Sequence, residues 1–338
     1  MKRYELAKVS GIDDVRMVER ETPSPGPGQV LVRMRAASLN YRDLLMVSGM
    51  YARGGLPLPL VPVSDGAGEI AELGPGVAHV KKGDRVVLTF FEDWAGGSLT
   101  EREMGTARGG ARPGVLSEYV VSPEDALLPI PAHLSFEEAA TLPCAALTAW
   151  QALAEIAPAI PGETVLALGT GGVSIFTLQL AKLLGARVII TSSSDDKLAR
   201  ARALGADETI NYKTTPDWEK AVRELTGGRG VDRVLEVGGP GTFQKSVASL
   251  RMGGRLALIG VLGGLSGGVE ILPILLGCLH VDGVYVGSRE MFERMNRAVA
   301  LAKLRPVIDR TFPFDEAPAG YRHLQSGAHF GKVVVRIS

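Results

Sequence analysis

The sequence predicts an α/β protein, with a doubly wound parallel sheet in one domain and a second domain rich in β-strands. From Thr164 onwards, short apolar strands alternate with helical segments, which is typical of parallel strands joined by crossover helices. Residues 1 to about 125 instead show alternating strands between turn signals. A chain of 338 residues is too long for one ordinary core, so two domains are expected.

Charge and cysteine content exclude several classes of function. Lys and Arg total 37, as do Asp and Glu, so no net field attracts nucleic acid or an anionic membrane surface. The two cysteines, Cys144 and Cys278, exclude a disulfide framework and indicate a reducing compartment. No apolar signal region follows Met1, and we therefore expect a soluble, cytoplasmic protein.

The residue pattern of the N-terminal region predicts several strands and one irregular lobe. Apolar residues alternate with Arg33 and Arg35 over residues 30–36, as in a half-buried strand. Further strands are predicted over residues 63–73, 85–89 and 116–121. Residues 92–114 are polar and rich in glycine, which indicates a loop or lobe.

A helical pattern follows over residues 136–153. Ser135 is its predicted N-cap, and Glu137 and Glu138 in the first turn favour the positive end of the helix dipole.

Beyond it, strands and helices alternate regularly. Strands are predicted over residues 164–168, 187–191, 208–210, 231–237, 254–259 and 281–286. Helices are predicted over residues 173–184, 195–204, 218–225 and 242–250. The apolar stretch 269–287 is interrupted by Pro273, His280 and Asp282, so it predicts a short buried helix followed by a strand and not a membrane span.

The most specific motif is Gly169-Thr170-Gly171-Gly172-Val173, after the 164–168 strand. A lone glycine pattern also fits an ordinary turn, but this one leaves a strand, enters a helix and opens a β-α run, as a dinucleotide fingerprint requires. Gly169 would form the tight turn, and Gly171 would let the backbone approach a pyrophosphate, held by amides near Gly172 and Val173. A Rossmann nucleotide-binding domain is therefore predicted.

The residues after the next predicted strand favour NADPH over NADH. An NAD site usually has Asp or Glu about 20 residues after the motif, bonded to the ribose 2′-hydroxyl. Here that position falls on Ser192 and Ser193, whose hydroxyls would bind a 2′-phosphate together with Lys197 one turn further on. Asp195 and Asp196 count against this, although acids at a helix start are commonly capping residues. We therefore expect NADP as the cofactor.

These features resemble the medium-chain dehydrogenase/reductase family, in the zinc-free branch similar to quinone oxidoreductases. Besides the glycine motif, the resemblance rests on Asn40-Tyr41-Arg42-Asp43, Ser64-Asp65-Gly66-Ala67-Gly68, Lys81-Lys82-Gly83-Asp84-Arg85-Val86, Cys144 to Thr148, Leu204-Gly205-Ala206-Asp207 and Phe330-Gly331-Lys332-Val333-Val334. It implies a GroES-like catalytic domain over residues 1–130, a Rossmann NADP-binding domain over 131–287, and a C-terminal segment, 288–338, that rejoins the catalytic domain. The expected fold is α/β: a Rossmann doubly wound parallel sheet domain plus a β-rich GroES-like catalytic domain.

The resemblance also implies further cofactor-binding residues. In quinone oxidoreductases a lysine and a tyrosine at the spacing of Lys197 and Tyr212 hold the 2′-phosphate. Other positions that line or close over the cofactor in that family are Thr148, Val237, Gly238, Gly260, Val261, Gly287, Ser288, Phe330 and Lys332. An ordinary loop or packing role is the alternative for the late members of this set.

Zinc is expected to be absent. By the motifs, the positions of the family's catalytic zinc ligands hold Asn40, Ser64 with Asp65, and Cys144, whereas a catalytic zinc normally has three protein ligands. The four cysteines of the family's structural zinc lobe are missing from residues 92–114. Cys144 is interpreted as a small apolar residue, with a reactive thiol as the alternative.

These expectations combine into one functional hypothesis, hydride transfer from nicotinamide C4 to a quinone or an α,β-unsaturated carbonyl. Asn40 would donate a hydrogen bond to the developing oxyanion, and Tyr41 would donate there or supply a proton. Asp43 would orient the loop or hold the nicotinamide ribose. Asn40 fixing a turn and Tyr41 packing are the alternatives.

Two other functions remain open from the sequence. One is an alcohol dehydrogenase-type oxidoreductase acting on alcohols or aldehydes, with zinc in an unusual ligand set. The other is an NADPH-binding structural or regulatory protein without significant catalysis. The expected partners are a small electrophilic substrate and, by analogy with the family, a second copy in a homodimer, through the strand predicted over residues 281–286.

Overall fold

The computed structural model describes residues 1–51 and 55–337, which form two compact units. The first comprises Met1–Leu147 and Val286–Ser338, and the second comprises Thr148–Tyr285. These divisions differ from those expected after residues 130 and 287. The residues that follow 130 are tied to the first unit, because the backbone N–H of Cys144 donates to Asp65 Oδ2 at 3.1 Å.

The described residues contain fifteen strands. They are β1 (Lys2–Leu6), β2 (Val15–Glu19), β3 (Gln29–Leu39), β4 (Asp65–Leu73), β5 (Arg85–Leu88), β6 (Tyr119–Pro123), β7 (Leu127–Pro129), β8 (Thr164–Ala167), β9 (Arg187–Ser192), β10 (Glu208–Asn211), β11 (Val231–Glu236), β12 (Leu250–Leu258), β13 (His280–Gly283), β14 (Ile308–Pro313) and β15 (Lys332–Arg336).

The same residues contain eleven α-helices. They are α1 (Tyr41–Val47), α2 (Glu101–Met104), α3 (Phe136–Ala139), α4 (Leu147–Trp150), α5 (Gly172–Leu183), α6 (Asp195–Ala203), α7 (Trp218–Leu225), α8 (Phe243–Ser249), α9 (Leu272–Leu276), α10 (Arg289–Ala302) and α11 (Ala317–Gln325).

The first unit is built around a seven-stranded sheet. Its strand order is β14-β15-β3-β4-β5-β7, and β6 also pairs with β3. The C-terminal strand β15 pairs antiparallel with β3, with Val333 opposite Leu39, so residues from both ends of the chain share one sheet. Met34, Leu39 and Tyr321 belong to its apolar core.

The second unit contains a six-stranded parallel sheet in the order β10-β9-β8-β11-β12-β13. Counted within the unit, this order is 3-2-1-4-5-6, and the direction of winding reverses between β8 and β11. That is the doubly wound Rossmann order, in which ligands bind beyond the carboxyl ends of the strands near the reversal. The predicted fold class is confirmed.

The predicted helix over residues 136–153 is divided in the structure. Its predicted N-cap is confirmed: the Ser135 hydroxyl accepts from Glu138 N at 3.1 Å, and the Glu138 carboxylate accepts from Ser135 N at 2.8 Å. Two π-helical segments, Leu142–Ala146 and Gln151–Glu155, interrupt the helix. Pro143 has no backbone N–H to donate, which weakens a regular α-helical ladder at the first of them.

The prediction of a buried helix within residues 269–287 is wrong. The residues around α9 are exposed, including Ile271 at 75% and Leu275 at 71%. Hydropathy indicates that these side chains favour burial, but it does not say which surface covers them. No described helix is both long and apolar enough to cross a membrane.

Candidate active site

The glycine motif forms a tight turn between β8 and α5. Gly169 has φ 74°, a conformation that favours glycine, and Gly171 is the N-cap of α5. The Gly169 N–H donates to Thr191 Oγ1 at 3.2 Å, which ties the turn to β9. Ser174 donates to Leu168 O at 2.6 Å and is buried. The helix start therefore presents backbone amides of the kind that bind a phosphate.

The carboxyl ends of β9 and β10 bring Ser192 and Tyr212 together. Asn211 lies opposite Ser192 in the parallel ladder, and the Tyr212 N–H donates to Ser192 O at 3.0 Å. Tyr212 is exposed, and Lys197 lies half-buried in the first turn of α6. This end of the sheet thus carries a hydroxyl, a phenol and an ammonium, and the binding of a 2′-phosphate by them stays a prediction.

A buried carboxylate organises the loop after β11. Glu236 Oε1 accepts from the N–H groups of Gly238 and Gly239 at 2.7 and 2.9 Å, and from Thr242 Oγ1 at 2.6 Å. Its other oxygen accepts from the Ser246 hydroxyl. The carboxylate therefore fixes the turn that contains Val237 and Gly238.

The loop after β12 lies directly against that turn. A Cβ added to Gly260 would lie 2.0 Å from Val237 O, so only glycine allows this approach. The Gly263 N–H donates to Gly238 O at 2.7 Å. The predicted residues Val237, Gly238, Gly260 and Val261 thus lie in two interlocked loops at the carboxyl ends of adjacent strands.

In the first unit, Asn40 and Asp43 lie at the start of α1. Asp43 Oδ2 accepts from the Asn40 backbone N–H at 2.7 Å, and Asp43 Oδ1 is buried without a hydrogen-bond partner among the described residues. Burial raises the pKa of Asp43 to about 6, although the Arg42 guanidinium opposes the rise. Tyr41, the first residue of α1, is 38% exposed.

Ser64, Asp65 and Cys144 form a second buried group. Ser64 Oγ donates to Asp65 Oδ1 at 2.7 Å. Burial raises the pKa of the Asp65 carboxyl, and the Lys332 ammonium and then the Asn40 amide oppose that rise. Burial, and then the charge of Asp65, raise the pKa of the Cys144 thiol, which favours the interpretation of Cys144 as a packing residue over that of a reactive thiol.

Lys332 joins the two groups. Its Nζ donates to Leu39 O at 2.7 Å and to Asn40 Oδ1 at 2.5 Å, and the residue is only 3% exposed. Asn40 Nδ2 is buried and meets no acceptor at hydrogen-bonding geometry in the described part of the chain. The first unit therefore holds one buried amide, whose oxygen accepts from the Lys332 ammonium and whose nitrogen lies beside the Asp65 carboxyl and lowers its pKa.

Comparison with known proteins identifies the family. Residues 26–132 match the sequence family described as alcohol dehydrogenase GroES-like domain, and residues 172–301 match zinc-binding dehydrogenase. A zinc-type alcohol dehydrogenase-like protein of Schizosaccharomyces pombe is 44% identical, over 98% of this chain and 97% of its own. The chain belongs to the medium-chain dehydrogenase/reductase family.

Two solved structures show how varied this family is. A crystal structure of an NAD-dependent alcohol dehydrogenase is 38% identical, with a TM-score of 0.91 and coverage of 100% of both chains. A quinone oxidoreductase of Pseudomonas syringae pv. Tomato is 30% identical, with a TM-score of 0.84 and coverage of 99% of both chains. The chain is therefore an oxidoreductase of this family that binds a pyridine nucleotide, and its second unit carries the residues that fit such a cofactor.

The zinc of other family members does not fit this donor set. Across residues 1–51 and 55–337, no group of three or more His, Cys, Asp or Glu side chains could hold a metal ion. Two side chains at the family's zinc-ligand positions have other partners. Ser64 donates to Asp65, and the Asn40 side-chain oxygen accepts from the Lys332 ammonium. Neither is a usual zinc ligand, and a catalytic zinc takes three.

Two of the remaining family positions have a structural role in this chain, and two are simply buried. Ser288 caps α10, with its hydroxyl accepting from Met291 N at 3.3 Å. Gly287 packs against Leu147, since an added Cβ would lie 2.8 Å from that side chain. Thr148 and Phe330 are buried in their respective units. Their contact with a cofactor stays a prediction.

Sequence reasoning missed Glu236 and the position of Lys332. The sequence did contain a signal for Glu236, which is an acid at the end of an apolar strand with two glycines shortly after it. The backbone N–H groups of those glycines need an acceptor, and the Glu236 carboxylate supplies it. Lys332 was assigned to the cofactor, and Asn40 to the substrate, because nothing in the sequence places them side by side.

Proposed function

We propose that the chain is a zinc-independent, NADPH-dependent oxidoreductase that transfers hydride to a quinone or an α,β-unsaturated carbonyl. The observation that carries this proposal is the Asn40 amide, whose oxygen is held by a buried ammonium and whose nitrogen meets no acceptor at hydrogen-bonding geometry in the described residues. An amide N–H held in that way is a preorganised donor for an oxygen that gains negative charge.

The proposed substrate class rests on a donor set that does not fit zinc, with Asn40 and Ser64 at two of the family's ligand positions. A metal ion supplies several kcal/mol of stabilisation to a developing alkoxide. A single amide donor supplies about 3 kcal/mol, which is the typical cost of removing one oxyanion-hole donor. Quinones and enones need less help, since the charge delocalises onto an oxygen distant from the attacked carbon. Unactivated ketones and alcohols are poorer substrates for such a site.

The second unit would hold the cofactor, and the bound cofactor would supply the hydride from its nicotinamide C4. The amides at the start of α5 would bind the pyrophosphate. Ser192, Ser193, Lys197 and Tyr212 would hold the 2′-phosphate, because β9 ends in hydroxyl side chains where an NAD site commonly has a carboxylate. The choice of NADPH over NADH rests on these side chains.

Tyr41 and Asp43 have supporting roles in this proposal. Tyr41 is exposed enough for its hydroxyl to reach solvent, and it would supply the proton directly or through water. Asp43 accepts from the Asn40 backbone and would hold the loop that carries the donor.

The test is NADPH oxidation with a panel of quinones and enones, measured for the wild type, Asn40→Ala and the control Asn296→Ala. Asn296 is an asparagine of α10 in the same unit. We expect Asn40→Ala to lower kcat by about 10²-fold or more, with little change in NADPH affinity. Equal turnover in Asn40→Ala and wild type would remove this amide from the mechanism.

Alcohol dehydrogenase activity is the second candidate, because two of the relatives carry that description. It would appear as reduction of NAD(P)+ by alcohols in a protein that contains near-stoichiometric zinc by metal analysis. Saturable NADPH binding without turnover of either substrate class would instead indicate a structural or regulatory role.

A further inference from the structure

Lys332 is a buried cation whose hydrogen bonds go to neutral oxygens. It begins β15, which pairs antiparallel with β3, and this register brings its ammonium to the end of β3. There it donates to Leu39 O and Asn40 Oδ1. Burying an ammonium is costly, so a lysine in such a place is a candidate for function.

The ammonium determines which way the Asn40 amide faces. Lysine has three donors and no acceptor, so the asparagine atom beside it must be the carbonyl oxygen. The amide nitrogen is then directed away from the ammonium. A hydrogen bond from a cation to the oxygen also polarises the amide and makes its N–H groups stronger donors.

Nearby carboxylates explain why the cation is retained at this position. Burial lowers the pKa of Lys332, while the charges of Asp65 and Asp43 oppose that fall. A hydrogen bond from the Asn40 amide also lowers the pKa of Asp65, so one N–H of Nδ2 is directed to that carboxyl and the second N–H remains for a substrate oxygen. Without the ammonium, the Asn40 side chain would face two buried carboxyls, and a negative charge on a nearby substrate oxygen would be disfavoured.

We propose that Lys332 is a positioning residue that orients and polarises the Asn40 amide, so that Asn40 Nδ2 donates to the substrate oxygen during hydride transfer. This inference rests on the proposed function and adds to it the residue that makes the donor effective. It replaces the expectation that Lys332 contacts the cofactor.

The experiment is a double-mutant cycle on kcat and on the NADPH dissociation constant. Its variants are Lys332→Met, Asn40→Ala and the double variant, with Lys82→Met on the exposed surface as control. We expect Lys332→Met to lower kcat at least 20-fold and to change the NADPH dissociation constant less than threefold. In the Asn40→Ala background the same substitution should change kcat less than threefold, because its target is gone.

Two results would overturn the proposal. One is the same fall in kcat in both backgrounds, as expected of a purely structural role. The other is a loss of NADPH affinity of tenfold or more with kcat retained, as expected of a lysine that binds cofactor phosphate. Lys332→Arg keeps the charge and should retain more kcat than Lys332→Met, and it serves as the test if the methionine variant does not fold.

A readout besides activity separates this proposal from the proposed function. The side-chain NH₂ signals of Asn40 in a ¹H–¹⁵N spectrum are assigned by their loss in Asn40→Ala. We expect these signals to shift or broaden in the Lys332 variants, while those of Asn296 stay unchanged. Unaltered Asn40 signals would contradict the proposal, whereas failure of the wild type to turn over any quinone or enone would contradict only the proposed function.

Discussion

Asn211 donates a hydrogen bond to Asp195, with 2.7 Å between Nδ2 and Oδ1. Asp195 is one of the two acids, with Asp196, that counted against NADPH from the sequence, because both lie shortly after β9. In the structure the Asp195 carboxylate lies in the first turn of α6, where the helix dipole favours an acid. It accepts a hydrogen bond from Asn211, the last residue of β10. This contact gives Asp195 a structural role of its own.

A carboxylate at the end of β9 should shift the proposed cofactor preference towards NADH. Ser192→Asp places a negative charge where the 2′-phosphate is proposed to bind, and it provides an acceptor for a ribose 2′-hydroxyl. We expect the ratio of the NADPH to NADH dissociation constants to rise at least tenfold, which is about 1.4 kcal/mol. Ser192→Asn has nearly the same shape without the charge and is the matched control. A ratio unchanged in Ser192→Asp would refute this placement of the phosphate.

Removing the Glu236 carboxylate should destabilise the second unit. Glu236→Ala leaves the amides of Gly238 and Gly239 and two hydroxyls without their acceptor, and each unsatisfied buried donor costs about 1–3 kcal/mol. We expect a loss of at least about 3 kcal/mol in the free energy of unfolding, measured with urea. Glu224→Ala, on the exposed face of α7, should change it by less than about 0.5 kcal/mol. Equal stability in the two variants would contradict the role given to Glu236.

Asp43 should make the protein less stable as pH rises. Burial raises its folded-state pKa from 3.8 to about 6, so the folded protein binds a proton that the unfolded chain has released. The stabilisation from that proton is complete below about pH 4 and is lost as pH rises through about 6, a change of about 3 kcal/mol. Asp43→Asn should abolish this part of the pH dependence.

The measurement is the free energy of unfolding from urea titrations at several values between pH 4 and pH 7. The exposed Asp125 supplies the control variant, Asp125→Asn, which should follow the wild-type curve. The prediction fails if the difference between wild type and Asp43→Asn is the same at every pH.

The exposed apolar surface around α9 and the edge strand β13 predicts self-association. Strand β13 lies at the edge of the parallel sheet, and an unpaired edge beside exposed apolar side chains is a common interface. We expect a homodimer in sedimentation velocity, shifted towards monomer by Leu275→Lys. Leu301→Lys changes a leucine that is 89% exposed on α10 and should leave the dimer intact. A monomeric wild type, or equal effects of the two variants, would argue against this interface.

Much of the fold was predictable because its signals are local. Helix α7 has the predicted bounds, and β8, α5 and β9 each lie within one or two residues of theirs. The signals are the spacing of apolar residues, the glycines of turns and the capping residues of helices. Each depends only on residues close together in the sequence. The π-helical segments and the exposed α9 were not predictable in this way, since both depend on packing against distant parts of a structure.

The candidate site was predicted in parts but not as an arrangement. Asn40 and Asp43 were recognised from a short motif, and their mutual contact is local. The contact between Asn40 and Lys332 joins residues 292 positions apart, through the pairing of β15 with β3. Only that register shows that the amide oxygen is occupied by the Lys332 ammonium.

The most direct test of the central claim is the fate of deuterium from NADPH labelled at both C4 positions. The wild type is incubated with an α,β-unsaturated ketone, and the reduced product is analysed by mass spectrometry and NMR. The account predicts one deuterium on the β-carbon of the product. Product without deuterium at that carbon, or no product with any enone or quinone of the panel, would contradict it.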